Sequence, residues 1–135
     1  LNNNIISKNS DIGTLGNKIT KVDFIDKSIV KVITKDNIEK KRISIAKKFL
    51  RKCKHPKKNA YGHIGIYQFR TSILKKFVNL RQSKNEIKHR LEQLRAIENG
   101  INIDVVYSKN KSFGIDTVED YVEIKKIMEY KIKKL

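Results

Sequence analysis

Tryptophan is absent from this 135-residue chain, and cysteine, proline and methionine occur once each, as Cys53, Pro56 and Met128. A single thiol excludes an intramolecular disulfide, so a packed core has to hold the fold, and a reducing compartment is the simpler setting. One cysteine and three separated histidines, His55, His63 and His89, do not make a zinc ligand set. The six glycines form no Walker loop, no G-x-G-x-x-G fingerprint and no G-x-S-x-G elbow. No apolar run approaches the ~20 residues that span a bilayer, and no charged-then-apolar leader opens the chain. No membrane partner is expected, and the expected location is cytoplasmic.

Acidic residues are also scarce: fourteen Asp and Glu stand against 31 Lys and Arg, a formal charge of +17. Such an excess ordinarily points to nucleic acid or an anionic surface. Here it is diffuse, because Lys (25), Ile (21) and Asn (12) together supply 58 residues spread along the whole chain. No specific nucleic-acid partner is expected, although polyanions such as a nucleoside triphosphate should be attracted at low salt. The length allows one modest domain. The chain opens on Leu1 followed by Asn2, Asn3 and Asn4, and is read as a piece of a longer protein.

Strand and helix patterns alternate. The β-branched stretch Ile29 to Thr34 predicts a strand, with turn chemistry at Lys35, Asp36 and Asn37. The basic, poorly periodic segment 38–58 predicts a short helix or an irregular loop. From Tyr61 to Phe69, alternation puts His63, Gly65, Tyr67 and Phe69 on one face of a strand and leaves the space over Gly65 open. A core strand with an internally bonded His and Tyr fits the same pattern. Thr71 is placed to cap a helix carrying Ile73, Leu74, Phe77 and Val78. Ser83 and Glu86 form a capping box for a second helix, with Ile87, Leu91 and Leu94 on its apolar face and Asn99-Gly100 as its stop. On that helix Glu92 and Gln93 fall off the apolar face, and an i,i+3 pair of Glu92 with Arg95 accounts for them adequately. Ile101 to Tyr107 predicts a strand and 112–115 a short one. A last helix opens at Thr117, with Tyr121, Val122, Ile124, Met128 and Ile132 as its expected buried positions. Strands interleaved with helices indicate an α/β sheet.

Asp116 lies between a short strand and a helix start, where α/β proteins place ligand-binding groups. If Asp116 caps the helix and Glu119 closes the box, its carboxylate is consumed by backbone N–H groups. If Thr117 caps with Asp120, Asp116 stays free for a hard cation.

Three segments in order, His63-Ile64-Gly65-Ile66-Tyr67, Leu91-Glu92-Gln93-Leu94-Arg95 and Gly114-Ile115-Asp116-Thr117-Val118-Glu119-Asp120, resemble the C-terminal half of the 3-deoxy-manno-octulosonate (Kdo) cytidylyltransferases, the CMP-Kdo synthetases of lipopolysaccharide assembly. Weaker matches precede them: Ser10-Asp11-Ile12-Gly13-Thr14-Leu15 for S-x-x-x-T-L, Val30-Lys31-Val32 for V-K-V, and Ala46 to Arg51 for A-L-Y-F-S-R. The resemblance implies part of a Rossmann-like, glycosyltransferase-A-like nucleotidyltransferase sheet with flanking helices. It also implies an enzyme that transfers a cytidylyl group from CTP to Kdo, or to an 8-amino relative, with Mg²⁺ and as a homodimer. Residues 1–135 would be the C-terminal portion of one such domain. Arg51, His63, Tyr67, Glu92 and Gln93 would line the sugar-acid pocket, and Asp116 would bind the metal. A guanidinium suits the Kdo carboxylate, and polar side chains at fixed spacing can read hydroxyls. The family's P-A-R-x-x-S-x-R-L-P-x-K nucleotide loop and its G-D-E-P metal segment have no counterpart in these residues, so the fragment alone is expected to be inactive. Two other readings compete: a basic RNA-associated domain centred on Lys40 to Lys58, and a degenerate, non-catalytic fragment.

Overall fold

Among the described residues five stretches form the strands β1 (Ile12–Asn17), β2 (Lys31–Thr34), β3 (Ile43–Leu50), β4 (Ala60–Phe69) and β5 (Ile103–Ser108), and all but the glycine-containing β1 are rich in β-branched or aromatic residues. Among the described residues six helices lie between and after them: α1 (Lys21–Ile25), α2 (Ile38–Lys41), α3 (Thr71–Val78), α4 (Lys84–His89), α5 (Gln93–Glu98) and α6 (Val118–Ile132). The computed structural model describes residues 10–53, 55–109 and 118–132. The strands run β1-β4-β2-β3-β5 and close on themselves through β5 and β1, the one parallel pair among the described strands. A mixed α/β sheet with flanking helices was the expectation. Closure into a ring was not, and it leaves no unpaired edge among these strands.

The core fills the ring and continues under the helices. Ile12, Val32, Phe49, Tyr61, Ile103 and Val105 come from strands, Ile38 from α2, and Leu91 and Ala96 from the α4–α5 region. The Ile38 backbone N–H donates to the Tyr61 hydroxyl at 3.2 Å, which ties the short helix to β4. Lys31 is fully enclosed, and its ammonium donates to the Arg51 carbonyl at 3.0 Å and to the Asp26 carbonyl. Burial holds its pKa below the ordinary lysine value.

Several expectations are corrected. Residues 38–58 contain a full strand, β3, besides the short helix α2. Its alternation is hidden because the register against β2 shifts between Ile33 and Thr34, whose partners are Lys48 and Ala46, so that Lys47 and Lys48 both face outward. Arg70, not Thr71, is the N-cap of α3, and it makes no side-chain capping bond. On that helix Leu74 and Val78 are exposed. In α6, Tyr121, Val122 and Met128 are exposed where burial was expected, while Ile124 is half-buried. The strand expected at 112–115 and the side chain of Ile132 lie outside what is described.

The helix expected from Ser83 to Asn99 is two helices. Its capping box forms as expected, with Glu86 N–H donating to the Ser83 hydroxyl and Ser83 N–H to the Glu86 carboxylate, each at 3.1 Å. Then Arg90 adopts a left-handed conformation (φ 52°, ψ 52°), and the chain turns before α5 begins. Arg95 does not pair with Glu92. It reaches back to Glu86 with two charge-assisted bonds, 2.6 Å from Nη2 and 2.9 Å from Nε, and stacks over the Phe77 ring at 4.7 Å. The Arg95 bonds, followed by that from Ser83, hold the Glu86 carboxyl below the usual range. Removing one partner of an enclosed pair strands the other charge. Glu86→Ala should therefore lower stability by about 3 kcal/mol, read as a drop in the urea midpoint, whereas Glu86→Leu combined with Arg95→Met should recover most of that loss.

Candidate functional site

Strand β4 reaches the site through an irregularity. Its register against β1 pairs Gly16 with His63 and Leu15 with Ile64, then Thr14 with Tyr67, so Gly65 and Ile66 bulge out of the ladder. Both bulged residues are exposed, and a side chain added at Gly65 would meet nothing within 4 Å. Two extra residues preserve the alternation, so His63 and Tyr67 still face the same way, their rings 5.4 Å apart. A continuous row of aromatic side chains results. Phe49 stands edge-on to His63 at 5.1 Å, Tyr67 lies 6.3 Å from Phe69, and Phe69 lies 5.6 Å from Phe77 on α3.

Beyond Tyr67 lies a cleft of about 210 Å³. Ile12, Phe69 and Ile103 make its apolar floor, Leu74, Phe77 and Val78 of α3 one wall, and Glu92, Gln93 and Ala96 the other. Tyr67, Glu92 and Gln93 therefore share one opening, although they come from a strand and from the break between two helices. Only 8% of Gln93 is exposed, yet its amide has no hydrogen-bond partner among the described residues and is not a sealed-off atom. It has bonding capacity to offer a ligand. Burial, and then the charge of Glu92, raises the Tyr67 hydroxyl above its ordinary pKa, so it remains a donor. Burial alone pushes His63 down to about 4. The cleft presents a phenol, a carboxyl group and a carboxamide over an apolar floor, with a neutral imidazole beside it, a set suited to reading a polyhydroxylated ligand.

The other expected residues sit differently. His63 adjoins Tyr67 but is not among the side chains that line the cleft. Arg51 donates from Nε to the His89 carbonyl at 3.3 Å and from Nη2 to the Arg90 carbonyl at 3.1 Å, so its guanidinium clasps the break between α4 and α5. Asp116 lies outside the described residues. Among the described residues no group of three or more His, Cys, Asp or Glu side chains could hold a metal ion, and no helix is long and apolar enough to cross a membrane. Sequence reasoning missed Thr14, a fully enclosed threonine of β1 whose Oγ1 lies 3.0 Å from His63 Nε2, 3.1 Å from the Ile64 carbonyl and 2.8 Å from the Ile66 carbonyl. Its one signal was membership of the Thr14-Leu15 match.

The low pKa of His63 has a thermodynamic consequence. A histidine at 6.5 when unfolded and about 4 when folded favours the fold fully above pH 6.5, and that contribution is lost as pH falls toward 4. It amounts to about 2 kcal/mol between pH 8 and pH 5. Urea midpoints should fall over this range, and His63→Gln should flatten the dependence.

Comparison with known proteins agrees with this architecture. The family model described as Cytidylyltransferase matches residues 3–103. A 3-deoxy-manno-octulosonate cytidylyltransferase of Thermodesulfovibrio yellowstonii is 42% identical over 120 residues, covering 84% of this chain and 47% of that protein. One from Bartonella quintana is 37% identical over 126 residues, covering 90% of this chain and 51% of that protein. Among solved structures, CMP:2-keto-3-deoxy-manno-octonic acid synthetase complexed with CTP superposes with a TM-score of 0.85 at 26% identity, covering 97% of this chain and 54% of that one. The chain thus spans about half the length of the relatives it matches. With a family match across most of its length and the same fold as a solved synthetase, the chain belongs to the cytidylyltransferase family, among the 3-deoxy-manno-octulosonate (CMP-Kdo synthetase) members.

Proposed function

We propose that this chain is the sugar-acid-binding half of a nucleotidyltransferase that makes CMP-Kdo and pyrophosphate from CTP and Kdo, or an 8-amino relative, for lipopolysaccharide synthesis. The observation that carries the reading is the convergence of Tyr67, Glu92 and Gln93 on one cleft. In this reading the Tyr67 hydroxyl donates to the sugar acid, the Glu92 carboxylate accepts from its hydroxyls, and the Gln93 amide does both. The apolar floor leaves these few polar groups to fix the ligand's orientation. His63 and Arg51 stand at the periphery, Arg51 within reach of the same helix break that carries Glu92.

In the complete enzyme the anomeric hydroxyl of Kdo forms a bond to the α-phosphorus of CTP, the bond to pyrophosphate breaks, and the hydroxyl proton is released. The triphosphate cradle belongs to a nucleotide-binding portion that these residues do not contain, and catalysis requires it. Mg²⁺ is part of the proposal on the resemblance alone, with Asp116 as its ligand; bound there it would offset charge on the departing pyrophosphate. A cytoplasmic homodimer completes the reading.

Calorimetric titration of the chain with Kdo tests it. Tyr67→Phe, Glu92→Gln and Gln93→Leu should each weaken Kdo binding about tenfold, the worth of one hydrogen bond. In the complete protein the same changes should raise KM for Kdo and leave KM for CTP unaltered. Unchanged Kdo affinity in all three variants would refute the assignment.

A further inference from the structure

Thr14 has one hydroxyl proton and three polar neighbours. Two of these, the Ile64 and Ile66 carbonyls at 3.1 Å and 2.8 Å, can only accept, so the proton is directed at the bulge of β4. The third is His63 Nε2 at 3.0 Å. Were Nε2 a bare lone pair, the hydroxyl would have to turn to it and leave both carbonyls facing an oxygen lone pair. With a proton on Nε2, the imidazole donates to Oγ1 while Oγ1 donates to the bulge, and both bonds are made at once. The ring's other nitrogen, Nδ1, has no partner among the described residues and is not one of their sealed-off atoms, so it can be reached from outside.

We propose that Thr14 is a positioning residue that fixes His63 as the Nε2–H tautomer, so that Nδ1 is presented as a hydrogen-bond acceptor for a hydroxyl of the bound sugar acid. The ligand chemistry rests on the function proposed above, whereas the tautomer rests on the Thr14 geometry alone. The assignment sets a specificity: His63 takes a hydroxyl donor and does not serve as a cation for the carboxylate. The same threonine bonds the carbonyls on either side of Gly65, so the bulge that opens the strand and the tautomer that reads the ligand share one anchor.

Long-range ¹H–¹⁵N NMR of the ¹⁵N-labelled chain reads the tautomer directly. The wild-type protein should show His63 protonated on Nε2 and bare on Nδ1, and Kdo should shift the Nδ1 resonance. Thr14→Val, which keeps the shape and removes the hydroxyl, should give a mixture of tautomers and about tenfold weaker Kdo binding, while Thr14→Ser should restore both. A wild-type His63 protonated on Nδ1 overturns the proposal whatever the variants do, including a Thr14→Val that fails to fold. So does a Thr14→Val spectrum identical to wild type. If the tautomer is as assigned and Kdo binds without moving Nδ1, the role in recognition is overturned and the function stands. If Kdo does not bind at all, the function falls and the tautomer assignment stands.

Discussion

The left-handed turn at Arg90 is the constraint on which the cleft depends. For an L-residue other than glycine that conformation costs ~1–2 kcal/mol, so something must hold it. Two arginines do. Arg51 clasps the His89 and Arg90 carbonyls from the strand side, and Arg95 binds Glu86 across the break, which fixes the two short helices against each other. A six-residue helix is too short to persist by itself, so α4 and α5 exist because tertiary contacts hold them. The turn carries Leu91 into the core and swings Glu92 and Gln93 toward Tyr67. Had the helix run straight, these two side chains would have stayed off the packed face.

The second half of the site is built by the opposite means, an insertion in place of a turn. The bulge at Gly65 and Ile66 adds an even number of residues to β4, so it opens the strand without reversing the facing of the residues beyond it. His63 and Tyr67 keep a common face, and the aromatic row from Phe49 to Phe77 continues through them. That row ends beneath the Arg95 guanidinium. Arg95 thus touches both the helix break and the wall of the cleft.

What could be read in the sequence was local chemistry. The Ser83–Glu86 capping box, the β-branched run of β2 and the alternation of β4 depend on neighbours within a few residues; the structure contains the first two, and the third holds only on either side of the bulge, which takes Gly65 out of the row it was expected to share with His63 and Tyr67. What could not be read involved distant partners. Arg90 carries no mark of a left-handed conformation, because glycine or asparagine is the usual occupant and the compensation comes from Arg51, far back in the chain. Strand β3 was hidden by a register shift that puts two adjacent lysines outward and breaks the period. The same limit applies to the site. The shared face of His63 and Tyr67 was legible from spacing, whereas the strand that carries Thr14 was not expected from the sequence, and the threonine gains its partners only when β1 and β4 are paired.

Charge and shape act at different ranges in this molecule. The surplus of +17 is spread over the surface, and its field reaches about 8 Å at physiological salt, so it concentrates anions near the protein without choosing among them. Among the described residues the one lysine buried in the interior, Lys31, donates to two backbone carbonyls, one of them that of Arg51. Inside the cleft the balance is reversed: the imidazole beside it is neutral, the phenol is protonated, and the one ionisable side chain on the lining is Glu92 apart from Tyr67. Under the function proposed above, discrimination there would come from hydroxyl groups that donate to Glu92 and fit the apolar floor, while the acid's own charge would be met by the basic surroundings. On that proposal, capture by the surface and selection by the cleft are separable, the first weakened by salt and the second governed by hydrogen-bond geometry.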